Sequence, residues 1–258
     1  MKNKILLLIA ALSIAALSLS ACSTFHIVIG TGNVVDKQFD FKDFQNIEIS
    51  NALQYDISQS ASYSVSVSAH ENIIPYLDVY QSGATLVVRM KPGSFTNTDA
   101  KATITLPELD RLSVSGASKG SAKGIQTSAS LNLVVSGASQ LDLSAEVKSA
   151  DVNVSGASRI TGHLVAGDSR FNVSGASRCE LDGSTGTTYL DLSGASRFNS
   201  PSLVMKNANV NVSGASHGTV DCTGILNLEV TGASTLDYSG NPTLNQVTVN
   251  GASTLNKK

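Results

Sequence analysis

The amino-acid sequence predicts an all-β solenoid, a single-stranded β-helix with about 19 residues per coil and a less regular, β-rich N-terminal cap. Three observations predict it. The tetrapeptide Ser-Gly-Ala-Ser begins at Ser115, Ser136, Ser155, Ser174, Ser193 and Ser213, and recurs with Thr231 and Asn250 in the first place, at spacings of 21, 19, 19, 19, 20, 18 and 19 residues. Self-similarity at a nearly fixed period marks a stack of identical units. One and three places before each copy sit apolar residues, from Leu112 and Val114 through to Val247 and Val249, with a mostly polar residue between them. After the motif the alternation resumes, with Leu141, Ile160, Cys179, Phe198, Leu236 and Leu255 on the apolar side. A period of two is that of a half-buried strand.

Taken in chain order, residues 1–21 are set apart from the fold. Lys2 and Lys4 precede an apolar run from Ile5 to Leu19 and then small residues, which is the pattern of a secretory signal peptide. Its end, Leu19-Ser20-Ala21-Cys22, resembles the lipobox of bacterial lipoproteins, in which the cysteine is acylated and becomes the new N-terminus. That resemblance implies a chain held to a membrane by lipid on Cys22, with residues 22–30 as a tether, and Ser23 in the next place implies the outer membrane. Two or three acyl chains anchor stably where one is marginal.

Residues 31–258 form the predicted β-helix domain, with N-terminal coils over 31–110 and the repeat solenoid over 111–258. In the first part Ile47-Glu48-Ile49-Ser50-Asn51-Ala52 reads as a worn copy of the strand and bend. Ser64 to Ala69 alternates strictly, Ala84 to Met90 follows a Ser82-Gly83 turn, and Ala102 to Leu106 runs into Pro107. Only Glu71 to Tyr76, interrupted by Pro75, suggests a helical turn. In the repeat region, one coil of roughly 3.3 Å per residue has a perimeter of about 60 Å, enough for two or three short faces. Helical repeats are excluded, because Ser, Thr, Asn, Gly and Val are poor helix formers and no 3.6-residue period is present.

The tetrapeptide has a structural explanation. The glycines Gly116, Gly137, Gly156, Gly175, Gly194, Gly214, Gly232 and Gly251 supply a bend that a Cβ would oppose. The alanine is expected where the wall turns inward, and the serine hydroxyls are expected to stack about 4.8 Å apart and bond along the axis. The repeat also generates Gly116-Ala117-Ser118-Lys119-Gly120 and Gly214-Ala215-Ser216-His217-Gly218, which match the G-x-S-x-G pattern of hydrolases. That elbow needs a helix after the serine. Here a strand follows, so no catalytic residue is predicted.

Composition narrows the partners. Lys+Arg 18 against Asp+Glu 20 gives a net charge of −2, with no basic excess to condense on nucleic acid. Three cysteines cannot build a disulfide framework, and Cys179 and Cys222, at different offsets two coils apart, are expected to be buried free thiols. His26, His70, His163 and His217 lack ligand spacing, so neither a metal site nor a cofactor is expected. Asp151, Asp168, Asp191 and Asp221 fall on different coils and offsets, which disfavours a polysaccharide lyase or hydrolase of the β-helix kind. A structural or assembly role is the other alternative, by end-to-end pairing through the C-terminal coil, Val247 to Leu255.

One feature points to a ligand. The position after each motif reads Lys119, Gln140, Arg159, Arg178, Arg197, His217, Thr235 and Thr254, so three arginines on consecutive coils should align about one strand spacing apart. Like charges in register repel. Such a ladder suits sulfated or acidic polysaccharide, lipopolysaccharide phosphate or a partner protein's carboxylates, because the guanidinium fork matches oxyanions. Asp142, Glu180 and Asp237, two residues on and pointing the same way, are placed to neutralise it locally.

The ordered set Gly32-Asn33-Val34-Val35, Phe44-Gln45-Asn46-Ile47-Glu48-Ile49, Ala69-His70-Glu71-Asn72-Ile73-Ile74-Pro75-Tyr76, Gly83-Ala84-Thr85-Leu86-Val87-Val88 and Leu106-Pro107-Glu108-Leu109, followed by the Ser-Gly-Ala-Ser coils, resembles the head GIN domain family (DUF2807) of auto-transporter adhesin type. The resemblance covers nearly all of the chain after Cys22. It implies a right-handed parallel β-helix exported by bacteria, often as a lipoprotein, and adhesion is the expectation attached to that fold; with the outward column, this gives the expectation of a non-catalytic adhesin-like module for glycan or envelope-protein partners. It brings no catalytic or ligand residues with it.

Overall fold

The computed structural model describes residues 27–258, and in it the repeat copies stack as coils of a parallel β-helix. The signal peptide, Cys22 and His26 lie outside the described residues; of the predicted tether, Ile27–Ile29 is a strand paired with Ser94–Thr96. Strands Gln140–Val154, Arg159–Val173, Arg178–Leu192 and Arg197–Val212 each run almost a whole coil and pair in parallel with the next. The register is set by the repeat, with Val152 facing Phe171, Phe171 facing Leu190, and Leu190 facing Val210. A slip of one residue would turn every one of these side chains to solvent.

Each coil bends at the tetrapeptide and again where the inward alternation skips a place, as between Val147 and Ala150. At the first bend the glycines take φ between +66° and +80°. Their carbonyls accept from the alanine N–H of the next coil, as in Ala176 to Gly156 at 2.8 Å, so a Cβ on Gly175 would stand 2.6 Å from the Gly156 oxygen. Neither the torsion nor the stacking tolerates a side chain there.

The arrangement of the other two motif residues differs from expectation. The alanine is exposed and the final serine is inside, with Ser118, Ser139, Ser158, Ser177, Ser196, Ser216 and Ser234 all buried. The left-handed glycine swings the chain so that the residue before the next outward position points into the core. These hydroxyls bond mainly to backbone. Ser177 Oγ donates to the Ser174 carbonyl at 2.7 Å, Ser234 to Thr231 at 2.7 Å and Ser118 to Ser115 at 2.9 Å. Between coils, Ser196 and Ser216 meet at 3.4 Å among the described residues, and each also donates to a carbonyl of the preceding coil, Ser196 to Val173 at 3.0 Å and Ser216 to Gly194 at 3.5 Å.

The N-terminal part joins the same sheet, in a different order from the sequence. Asn46–Ser50 pairs in parallel with Arg111–Val114, and Gln54–Gln59 with Lys119–Val135, so the worn copy is a true coil, with Asn51 at φ 64° in the glycine's place. On its other side lie Thr85–Met90 and Lys101–Leu106, a coil later in sequence but nearer the end of the solenoid. The chain then passes back through Pro107 to Asp110, with Leu109 buried and Asp110 N–H donating to Gln45 at 2.9 Å, before the regular repeat begins. Antiparallel strands close this end: Ser64–His70 along Lys101–Leu106, Val34–Phe39 beyond it, and Leu77–Ser82 along Thr85–Met90. A 3₁₀ turn at Ile74–Tyr76 carries Pro75 in its first turn, where a missing N–H costs nothing.

The core is one continuous apolar column, from Ile47, Ile49 and Ile104 through Leu133, Val154 and Leu164 to Leu228 and Leu236. Phe171 and Phe198 meet in it edge to face, with centroids 5.3 Å apart. Cys179 and Cys222 are free and buried. Among the described residues no helix is long and apolar enough to cross a membrane.

Candidate functional site

The position after the buried serine must face outward, because successive strand residues alternate. The backbone ladder fixes it in each coil: Arg159 N–H donates to the Ser139 carbonyl at 2.9 Å, Arg178 to Ser158 at 2.8 Å and Arg197 to Ser177 at 2.9 Å. The resulting column runs Lys119, Gln140, Arg159, Arg178, Arg197, His217, Thr235, Thr254 in unbroken register. It also extends the other way, to Gln54 and then Lys101, whose coil precedes it in space and not in sequence. Lys101 was invisible to sequence reasoning because no Ser-Gly-Ala-Ser precedes it.

Carboxylates interleave with this column unevenly. Glu180 pairs with Arg159 and lies 3.9 Å from Arg178 Nε, so one acid is shared by two arginines. His217 Nε2 is 3.6 Å from Asp237, and Lys101 pairs with Asp56 at 2.5 Å. Asp142 bonds to Lys123 at 2.5 Å and not to Lys119. Arg197 and Lys119 make no ion pair among the described residues. Around the three arginines, therefore, one carboxylate opposes three cations, and the column keeps an excess of positive charge.

Asp237 is nearly enclosed. Burial alone would raise its pKa, but hydrogen bonds from Lys258 at 2.7 Å and Asn256 at 2.9 Å, with His217 nearby, hold it below the usual carboxylate range. Asp56 behaves likewise, with Lys101 and Ser121 outweighing burial. The Cys179 thiol is pushed up by burial and then by Glu180.

The two G-x-S-x-G matches are accounted for by packing. Ser118 and Ser216 are buried, and their hydroxyls are directed at backbone carbonyls. Gly120 lies against Tyr55, and Gly218 lies against Leu236 and Leu192. His217 Nε2 faces Thr219 and Asp237 on the outer wall. Asp151, Asp168, Asp191 and Asp221 stay on separate coils, and among the described residues no three His, Cys, Asp or Glu side chains gather as a metal site.

Comparison with known proteins agrees with this architecture. The solved structures that match include an adhesin-named protein, "putative adhesin", from Parabacteroides distasonis, with TM-score 0.83 at 18% identity over 90% of this chain and all of that one. A "putative lipid binding protein" from the same species gives TM-score 0.80 at 19% identity over 90% of this chain and all of that one. A "putative adhesin" from Parabacteroides merdae gives 0.73 at 18% over 90% of this chain and 99% of that one. At these identities the likeness is one of fold. No curated protein matches the chain. Residues 43–242 match the family described as "Putative auto-transporter adhesin, head GIN domain", DUF2807, and the chain belongs to that family.

Proposed function

We propose that the chain is a non-catalytic, lipid-anchored module of the bacterial cell envelope that binds a polyanionic glycan, or a partner protein's acidic surface, along the arginine column. The observation that carries this reading is the alignment of Arg159, Arg178 and Arg197 on three successive coils with Glu180 as their one paired carboxylate among the described residues. Repelling cations in register cost stability. A polymer with regularly spaced sulfates, phosphates or carboxylates relieves that cost, and several weak pairs along one polymer add up as avidity. Membership of an adhesin-type family supports binding as the role. Anchoring through Cys22, with Ser23 directing the outer membrane, rests on the lipobox.

A binding screen of residues 23–258 against sulfated, uronic and neutral polymers at two salt concentrations tests the reading. Anionic polymers should bind, binding should weaken with salt, and the triple variant Arg159→Ala, Arg178→Ala, Arg197→Ala should abolish it. Equal binding by the variant overturns the assignment.

A second reading, end-to-end self-association, draws on the C-terminal coil. Thr243–Val249 and Thr254–Lys257 pair with one neighbour each among the described residues, and Leu244, Val247 and Val249 are exposed. Sedimentation velocity over a concentration series checks it, with a dimer abolished by Val247→Lys as the supporting result and a monomer throughout as the contrary one.

A further inference from the structure

The face of the solenoid on the other side of the tetrapeptide bend, formed by the strand ends that precede it, carries different chemistry. Two outward columns run along it. One reads Asn132, Asp151, Arg170, Tyr189, Asn209, Asn227, and the other Asn153, Asn172, Asp191, Asn211, Glu229, Thr248. The asparagines bond to one another along the axis: Asn172 Nδ2 donates to Asn153 Oδ1 at 2.9 Å, Asn227 to Asn209 at 2.8 Å, and Asn245 to Asn227 at 2.9 Å. A primary amide has two N–H groups and two acceptor lone pairs. Asn227 uses one of each, donating to Asn209 and accepting from Asn245, and keeps one N–H and one lone pair to present to the outside.

Tyr189 stands in the middle of this face. It is 45% exposed, a large aromatic ring left in water on a surface otherwise made of small polar groups. The Arg170 guanidinium lies over it at 5.0 Å from the ring centre, which restrains the ring while leaving much of it open. Shallow depressions of about 230 Å³ and about 400 Å³ flank it on either side along the axis, and Tyr189 lines both. The first is walled by Asp191, Asn209, Asn211, Asn227 and Glu229.

We infer that this face is a second binding surface, for an uncharged polysaccharide lying along the solenoid axis. A restrained aromatic ring offers an apolar platform for the C–H face of a sugar, and fixed amides and carboxylates on both sides accept from and donate to its hydroxyls. Charge selects against the alternative. Asp151, Asp191 and Glu229 outnumber Arg170 here, so a polyanion is repelled from this face while it is attracted to the arginine column. The two surfaces differ in the polymer they take and in their response to salt. This inference rests on the reading of the chain as a binding module and is independent of the arginine column.

The test is affinity electrophoresis, followed by titration, of the whole chain from residue 23 with soluble dextran, α-mannan, galactomannan, hydroxyethylcellulose and a mixed-linkage β-glucan. At least one neutral polymer should bind with little dependence on salt. Tyr189→Ala, an exposed substitution that leaves the core intact, should weaken that binding by roughly tenfold. The triple arginine variant should leave it unchanged. Thermal unfolding of Tyr189→Ala checks that the fold survives, and Asn211→Lys, on the same face and exposed, provides an independent second variant that should also weaken binding. Retained affinity in both variants, or failure of every neutral polymer to bind, overturns the inference and leaves the face to a protein partner. Loss of neutral-polymer binding in the arginine variant overturns it too, while a failure of anionic polymers to bind contradicts only the arginine column.

Discussion

Tyr55 packs over Gly120 of the neighbouring coil: a Cβ on Gly120 would stand 1.9 Å from the Tyr55 carbonyl oxygen and 2.6 Å from Tyr55 Cγ, and the buried ring reaches past it to donate its hydroxyl to the Gln140 carbonyl at 2.9 Å. Large against small is how this wall keeps native density where the N-terminal coils meet the regular repeat. The glycine that resembled part of a hydrolase motif is thus a packing residue. Gly120→Ala should destabilise the chain by about 1–3 kcal/mol through overpacking, read as a lowered midpoint in urea unfolding. An unchanged midpoint would contradict the contact.

The buried serines divide into two groups that should behave oppositely. Ser177 Oγ donates to the Ser174 carbonyl, and Ser177→Ala should cost about 1 kcal/mol. Ser158 Oγ is buried with no partner among the described residues, so Ser158→Ala removes an unsatisfied polar atom and should be neutral or stabilising. Chemical denaturation of both variants decides it. Equal losses would mean that the serine column acts through shape alone.

Asp237 links the last three coils through His217 on one side and Asn256 and Lys258 on the other. Its folded pKa lies below the ordinary value, because burial, the largest single influence, is outweighed by the Lys258 and Asn256 hydrogen bonds and the charges of Lys258 and His217 taken together. A depressed carboxylate pKa contributes stability that is present above the unfolded pKa and lost as pH falls through the folded one. The Thr254–Lys257 strand should therefore open first on acidification, measured as faster amide exchange there than in Arg159–Val173. Asp237→Asn should already show that faster exchange at neutral pH.

Cys179 and Cys222 should not react with alkylating reagents in the native protein at neutral pH, since burial raises both thiols and keeps out reagent. Mass spectrometry of residues 23–258 should find both modified only after denaturant is added. Native labelling of Cys179 would show that the core opens locally.

Much of the fold is legible in the sequence because the repeat couples every level. The period places Val152, Phe171 and Leu190 on one face, and the same period brings Arg159, Arg178 and Arg197 into line. Legibility fails where the period does. The coil of Thr85–Met90 and Lys101–Leu106 lies beyond that of Asn46–Ser50, and no local pattern reports an order set by which strand edges are free to pair. The exposure of the alanine is not legible in the sequence, because the glycine's left-handed φ shifts the alternation by one residue, a backbone effect that residue types do not reveal. Tyr189 is illegible for a related reason. Its meaning comes from Arg170, nineteen positions earlier in sequence and directly adjacent in the sheet.

The central claim, that the arginine column is an anion-binding surface limited by Glu180, is tested most directly by titrating dextran sulfate into the chain and two single variants at low and high salt. Arg197 carries no ion pair among the described residues, so Arg197→Ala should weaken binding, whereas Glu180→Gln releases Arg159 and Arg178 and should strengthen it with a steeper salt dependence. Affinity that is the same in all three proteins, or absent from all of them, would contradict the account.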